Sequence, residues 1–130
     1  MLERLIEEKN LTGRTLLPGY APNPYAWMSR AAVFALASRF EGFGNVVAEA
    51  LACGCNVVST DCPSGPSEIL DGGRYGWLAR VGDPEDVARA LREALFHPLP
   101  SEDLRGRAAF FSEERAAEAW LELFRDLASS

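Results

Sequence analysis

The segment Glu41–Gly54 has the sequence EGFGNVVAEALACG, and it decides the fold of this 130-residue chain. Glycines at positions 42 and 44 allow a tight turn and let another molecule approach the backbone closely. The residues after Asn45 are apolar on almost every side, as in a helix that packs in a protein interior. Gly54 is typical of the position just past a helix end. The pattern therefore predicts a glycine turn followed by a buried helix from about Asn45 to Gly54.

The start of this helix predicts a site for an anion. The first N–H groups of a helix have no partner inside it, and the helix dipole favours negative charge at that end. Glu49 lies about one turn further along, roughly 6 Å at ~1.5 Å per residue, which is about the offset from a diphosphate to its ribose. A carboxylate only accepts hydrogen bonds, so a sugar diol suits it as donor. Glu41 would point at the group that the diphosphate carries. The pattern indicates a nucleotide with a polyhydroxylated group beyond its phosphates.

A structural role is the alternative for both acids. A buried carboxylate needs hydrogen-bond donors, and an arginine or a backbone amide would serve Glu49 as well as a ligand would. Glu41 would then be a solvated loop residue. The glycine pair and the apolar helix together favour ligand binding over this alternative.

The remaining elements predict an α/β fold, a Rossmann-like parallel sheet with helices on both faces. Apolar runs at residues 32–37 and 56–60 have the length of buried parallel strands, and short strands are also predicted at residues 15–17 and 75–81. The ligand crevice of such a sheet lies at the carboxyl ends of its strands. The loop at residues 62–66 would face that crevice, where Ser64 and Gly65 either reach a ligand or form a purely structural turn.

Helices are predicted at residues 2–10, 24–29, 66–70 and 104–111, with two more that begin after capping residues. Asp83 caps the first of these two, and Ser112 caps the last helix of the chain. The helix after Asp83 is expected to bury one stripe: Val87, Leu91, Ala94 and Leu95. The last helix has an apolar stripe assigned to the core or to a domain outside this chain: Trp120, Leu121, Phe124 and Leu127.

Composition excludes several classes of function. A net charge of −6 and a pI near 4.8 argue against a nucleic-acid binder. No apolar run approaches the ~20 residues that span a bilayer, and the N-terminus does not resemble a signal peptide. The cysteines at 53, 55 and 62 have no recognised zinc spacing and are expected to be small buried hydrophobes. His97 is expected in a surface loop, and no Gly-x-Ser-x-Gly elbow supports a serine hydrolase.

The order and spacing of these motifs resemble the C-terminal, donor nucleotide-binding domain of a GT-B glycosyltransferase of the retaining family 4, glycosyl transferases group 1. The resemblance is carried by residues 38–54, 56–66, 68–70 and 76–83, and it extends from about residue 2 to residue 127. The run Asp-Cys-Pro-Ser-Gly-Pro at 61–66 is similar to members that build lipopolysaccharide, capsules and other glycans from UDP-sugars. The resemblance implies that residues 1–130 form one partial donor-binding domain, without the N-terminal acceptor domain and the first βαβ portion.

The resemblance also implies residue roles. Glu41, in the catalytic position, would contact hydroxyls of the donor sugar, and Glu49 would bind the ribose hydroxyls. The donor sugar and diphosphate would be held by the backbone of the turn: Gly42, Phe43, Gly44, Asn45 and Val46. The implied reaction transfers a sugar from a nucleotide-sugar, expected to be a UDP-sugar, to a hydroxyl of a carbohydrate or lipid-linked glycan acceptor, with retention and without a metal or other cofactor. Such a protein is expected in the cytoplasm, and peripheral attachment to the inner face of the membrane through the missing half stays open.

The sequence departs from the family pattern in two ways. Asn56 occupies a position that is usually proline, which is expected to cost some turn rigidity. The basic pair that neutralises the diphosphate lies upstream in the family, and Lys9 is in the wrong context to replace it, so this chain alone is expected to be inactive. Two alternatives to transfer therefore stand: a non-catalytic nucleotide-binding or interaction module, and a GT-B relative such as a UDP-sugar 2-epimerase. The run at residues 61–66 favours transfer over epimerisation.

Overall fold

A three-stranded parallel sheet forms the centre of the computed structural model, which describes residues 1–129. Its strands lie side by side in chain order: β1 (Val33–Leu36), β2 (Asn56–Thr60) and β3 (Trp77–Ala79). Val33 lies opposite Asn56, and Val58 lies opposite Trp77. The central strand β2 is buried along its whole length, as its continuous apolar character predicts.

Residues 1–129 form seven α-helices and two single 3₁₀ turns. The helices are α1 (Leu2–Glu8), α2 (Pro24–Met28), α3 (Asn45–Ala52), α4 (Pro66–Ile69), α5 (Pro84–Phe96), α6 (Ser101–Ala108) and α7 (Glu113–Ala128). The 3₁₀ turns lie at Asp71–Gly73 and Ala109–Phe111. None of the helices in this described part has the length and apolar content to span a bilayer.

The two faces of the sheet carry separate hydrophobic clusters. Val57 points to the face covered by α3, α4 and α6, where Leu51, Ile69 and Leu104 are fully buried. Val58 points to the opposite face, which α5 covers with small residues such as Ala90. Successive residues of a strand point to opposite faces, so β2 joins the two clusters. The predicted fold class, a parallel sheet with helices on both faces, is confirmed.

The strand predicted at residues 15–17 is wrong. This segment has no regular structure, and Leu16 and Leu17 are exposed. A strand requires a neighbour that accepts its backbone hydrogen bonds, and these three residues pair with none of the strands formed by residues 1–129.

The predicted cap of α5 is confirmed, but one residue of its predicted buried stripe is wrong. The Asp83 side chain accepts a hydrogen bond from the Asp86 N–H at 3.0 Å, as expected of a helix cap. Ala90 and Ala94 are buried, whereas Leu95 is exposed. Leu95 follows Ala94 by one residue, about 100° around the helix, and so lies outside the stripe that faces the sheet.

The apolar stripe of α7 is not part of the core. Ser112 caps this helix, because its side chain accepts a hydrogen bond from the Arg115 N–H at 3.3 Å. No residue of α7 is buried among the described residues, and Trp120 stacks only on Phe124, at 5.8 Å between ring centroids. The core assignment is therefore wrong for this helix, while packing against a domain outside the chain stays a prediction.

Asn56 has a structural contact that its sequence position did not reveal. The residue is 8% exposed, and its Oδ1 accepts a hydrogen bond from the Leu99 N–H at 2.9 Å. The bond joins the start of β2 to the loop between α5 and α6. Asparagine at this position therefore supplies a tertiary contact. Proline could not make it, because its side chain has no hydrogen-bond acceptor.

The cysteines and the histidine behave largely as expected. Cys55 and Cys62 are buried, and Cys53 is half-buried. Burial raises the pKa of the Cys55 thiol above its ordinary value. His97 is exposed at the end of α5.

Candidate functional site

The glycine turn lies between the carboxyl end of β1 and the start of α3. The helix begins at Asn45, as predicted, and Gly44 precedes it in a left-handed conformation with φ +83°. Only glycine adopts that conformation without strain. A side chain added at Gly42 would meet no atom within 4 Å, so the space beside the turn is open.

Consecutive backbone N–H groups of this turn have no acceptor. Those of Phe43, Gly44, Asn45 and Val46 donate no hydrogen bond to any atom of residues 1–129. Val47 is the first residue of this segment whose N–H donates a hydrogen bond, which goes to the Gly44 carbonyl at 2.8 Å. A row of free N–H groups at a helix start is suited to bind an anion such as a phosphate.

Glu49 is accessible, contrary to the expectation that α3 is enclosed on all sides. It is half-buried and lies on a stripe with the exposed residues Asn45 and Ala52, which follow helical spacing. The helix is open there because it packs on β2, α4 and α6 with its other faces. No hydrogen bond or ion pair joins the Glu49 carboxylate to any other described residue. The arginine or amide partner of the structural alternative is thus not present in this part of the protein.

Glu41 is held in place by the ends of two strands. Its Oε1 accepts a hydrogen bond from the Ser38 hydroxyl at 2.6 Å. The Ser38 carbonyl in turn accepts a hydrogen bond from the hydroxyl of Thr60, the last residue of β2. Glu41 is therefore an oriented side chain at the carboxyl edge of the sheet, which differs from the solvated loop residue of the alternative. Ser38 belongs to the sequence motif, but the motif pattern alone assigned neither hydroxyl a role.

The loop after β2 supports the glycine turn from one side. The Ser64 hydroxyl lies 2.7 Å from the Pro63 carbonyl oxygen and 3.2 Å from the Glu41 carbonyl oxygen, and it shares its single proton between these two acceptors. Gly65 has φ +86°, and a Cβ at this position would lie 2.1 Å from the Phe43 carbonyl oxygen. Of the two possibilities left open for Ser64 and Gly65, these contacts match the structural turn.

An aromatic contact supports the turn from another side. The rings of Phe43 and Phe111 meet edge to face, with centroids 5.5 Å apart and an interplanar angle of 64°. Phe111 belongs to the 3₁₀ turn after α6, 68 positions further along the chain. No local pattern links these two residues, and sequence reasoning did not find Phe111.

The fold and the motifs are shared with glycosyltransferases. A family model described as Glycosyl transferases group 1 matches residues 1–97. The chain is 43% identical over 91 residues, 70% of its length, to N-acetylgalactosamine-N,N'-diacetylbacillosaminyl-diphospho-undecaprenol 4-alpha-N-acetylgalactosaminyltransferase of Campylobacter jejuni, of which the match covers 25%.

Solved structures give the same result. A sucrose-phosphate synthase from Thermosynechococcus elongatus superposes with a TM-score of 0.84 at 30% identity, over 99% of this chain and 34% of that one. A variant of TarM from S. aureus, in a complex with fondaparinux, alpha-GlcNAc-glycerol and UDP, superposes with a TM-score of 0.78 at 26% identity, over 94% of this chain and 26% of that one. The chain thus spans about a quarter to a third of these proteins, and the predicted resemblance to a GT-B glycosyltransferase is confirmed.

Proposed function

Because the chain belongs to the glycosyl transferases group 1 family, we propose that it forms the donor-binding part of a retaining glycosyltransferase. The complete protein would transfer a sugar from a UDP-sugar to a hydroxyl of a carbohydrate or lipid-linked glycan acceptor. Residues 1–130 would be one partial donor domain, and the acceptor site and the basic pair would lie in the rest of the protein. The transfer is proposed to need no metal.

The row of free N–H groups between two carboxylates is the observation that carries this proposal. Phe43 to Val46 offer donors for a diphosphate, and the accessible carboxylate of Glu49 offers an acceptor for ribose hydroxyls. Glu41 is oriented by Ser38 and keeps a second carboxylate oxygen for hydroxyls of the donor sugar. UDP in the complex of the similar S. aureus protein supports uracil as the donor base.

The proposed mechanism depends on charge that develops on the leaving diphosphate. Preorganised hydrogen-bond donors aimed at such charge usually contribute more to catalysis than any other single effect. The turn N–H groups and the start of α3 would supply part of that stabilisation, and the basic pair the rest. Glu41 would hold the sugar by its hydroxyls, and no covalent role is assigned to it.

The experiment is a transfer and hydrolysis assay of the complete protein with a panel of nucleotide-sugars. Glu49→Gln keeps the size of the side chain but removes its charge. Since hydrogen bonds to a charged group contribute about 1.5–3 kcal/mol, kcat/KM for the donor is expected to fall about ten- to a hundredfold. The control is Glu85→Gln on α5, at the opposite face of the sheet, which should leave the kinetics unchanged.

Each outcome separates the candidate functions. Wild-type kinetics in a folded Glu49→Gln protein would exclude the ribose role. An isomerised nucleotide-sugar as the product would identify an epimerase. Binding of UDP without turnover of any donor, in the complete protein as in this chain, would favour the non-catalytic module.

A further inference from the structure

Arg107 joins α6 to the end of α4 through backbone carbonyls. Its Nε donates to the Ile69 carbonyl at 2.8 Å, and its Nη2 donates to the Glu68 carbonyl at 2.7 Å. Carbonyls at a helix end lack partners within the helix, so the guanidinium serves as a cap supplied by another element. No carboxylate among residues 1–129 forms an ion pair with Arg107.

The same guanidinium also packs on aromatic rings. Its central carbon lies 4.9 Å from the ring centroid of Phe111, 5.3 Å from that of Phe110 and 5.6 Å from that of Tyr75. A planar cation over ring faces gains a cation–π interaction. Lysine has the charge but lacks the planar fork that bonds two carbonyls while lying over rings. The position therefore requires the geometry of arginine as well as its charge.

Both groups of contacts lead to Phe43, which lies between the two glycines of the turn. Through α4, Arg107 holds the element that begins directly after Gly65, whose backbone packs on the Phe43 carbonyl. Through Phe111, Arg107 holds the ring that meets the Phe43 ring edge to face. Arg107 thus contacts both supports of the turn without reaching the turn itself.

We propose that Arg107 is a positioning residue that keeps the glycine turn in the conformation that binds the donor diphosphate. The inference rests on the proposed function of the turn. The N–H groups of Phe43 to Val46 converge on a diphosphate only if the backbone of the turn is held before the ligand arrives. Loss of Arg107 would leave these donors in place but free to adopt other orientations, so affinity for the nucleotide would fall.

The test compares UDP binding and donor kinetics of the complete protein in matched variants. Arg107→Gln removes the fork and the charge, and Arg107→Lys keeps the charge alone. Arg105→Gln, on the same helix and with the same loss of charge, is the control. Isothermal titration with UDP gives Kd, and steady-state assays give KM and kcat for the donor.

Arg107→Gln is expected to raise Kd for UDP about tenfold and to lower kcat/KM for the donor by at least as much, because turn donors that can reorient bind the diphosphate less well and stabilise less of the charge that develops on it in the transition state. Arg107→Lys should restore little of this affinity, and Arg105→Gln should bind UDP like the wild type. Phe111→Leu, which keeps an apolar side chain and the bonds from Arg107 to α4, should raise Kd in the same direction. It also serves as the deciding variant if Arg107→Gln does not fold.

Two results would overturn the inference. The first is an unchanged Kd in folded Arg107→Gln or, if that variant does not fold, in folded Phe111→Leu; if the melting temperature is lower in the same variant, Arg107 is a purely structural residue. The second is full rescue of UDP affinity by Arg107→Lys, which would show that the positive charge alone is required. Failure of the wild-type protein to bind UDP would instead reject the proposed function, so the two failures are distinct.

Discussion

Among the glycine-to-alanine replacements at the donor site, Gly65→Ala is expected to destabilise the fold most. The new Cβ would lie 2.1 Å from the carbonyl oxygen of Phe43, where 3.4 Å or more is ordinary contact, so one of two backbones has to shift by roughly 1 Å. The residue also has φ +86° and ψ −83°. A side chain in such a sparsely populated region costs about 1–3 kcal/mol, and the overlap costs about 1–3 kcal/mol more.

The expected loss of about 2–6 kcal/mol is a large part of the ~5–15 kcal/mol that stabilises a typical domain. At roughly 3–6 °C per kcal/mol for a domain of this size, the melting temperature should fall by about 6 °C or more. Urea and thermal unfolding followed by circular dichroism measure both quantities. Gly106→Ala is the control, because Gly106 lies inside α6, has no positive φ and would place its Cβ in open space. This change should raise stability by about 0.5–1 kcal/mol.

The two variants are thus expected to change stability in opposite directions with the same chemical substitution. If Gly65→Ala unfolds at the wild-type midpoint, the loop after β2 does not pack on the glycine turn. The support of Phe43 from that side would then be incorrect, and with it one of the two routes by which Arg107 is inferred to act.

Two further predictions concern single polar contacts. Asn56→Ala leaves the Leu99 N–H without its acceptor, so urea unfolding should show a loss of about 1–3 kcal/mol, and an unchanged midpoint would count against this contact. Asp86 is hydrogen-bonded by the Arg89 side chain and by the Arg80 N–H, which lower its pKa from 3.8 to about 2. A carboxylate whose pKa is lower in the folded than in the unfolded state stabilises the fold fully at pH values above its unfolded-state pKa. This stabilisation is lost as the pH falls through its folded-state pKa. The stability difference between wild type and Asp86→Asn should therefore shrink from pH 5 to pH 2, and a constant difference over this range would contradict the assignment.

Features that depend on short sequence spacing were predicted well. The start of α3 at Asn45 follows from a glycine turn next to an apolar run. The caps Asp83 and Ser112 follow from a polar residue that precedes a helical pattern, since the cap bonds an N–H only three positions away. The runs that form β1 and β2 have the apolar continuity that burial on both faces of a sheet requires. In each case the physical cause lies within a few residues of its effect.

Features that depend on tertiary packing were missed. The bond from Leu99 to Asn56 spans 43 positions and that from Arg107 to Ile69 spans 38. Both exist only because α6 packs beside α3 and brings its flanking segments to the sheet and to α4. The wrong prediction for Leu95 has the same origin. Periodicity locates the apolar stripe of a helix, but the width of the stripe that becomes buried depends on the sheet packed against it.

The structure also changes the physical reason for a ligand at the glycine turn. From the sequence, the reason was a carboxylate enclosed by an apolar helix, which would need a partner to offset its desolvation. Glu49 is half-exposed and can be hydrated, so its burial no longer requires a ligand. The N–H groups of Phe43 to Val46 supply the reason instead, because backbone donors that find no acceptor within residues 1–129 have to be satisfied by water or by a bound anion. Water would satisfy these N–H groups in any flexible loop, but this turn is held on two sides. Gly65 packs against the Phe43 carbonyl, and Phe111 packs against the Phe43 ring. A fixed row of donors loses little entropy when it binds an anion, which is the physical reason to expect a diphosphate there and to expect its affinity to depend on residues that never contact it.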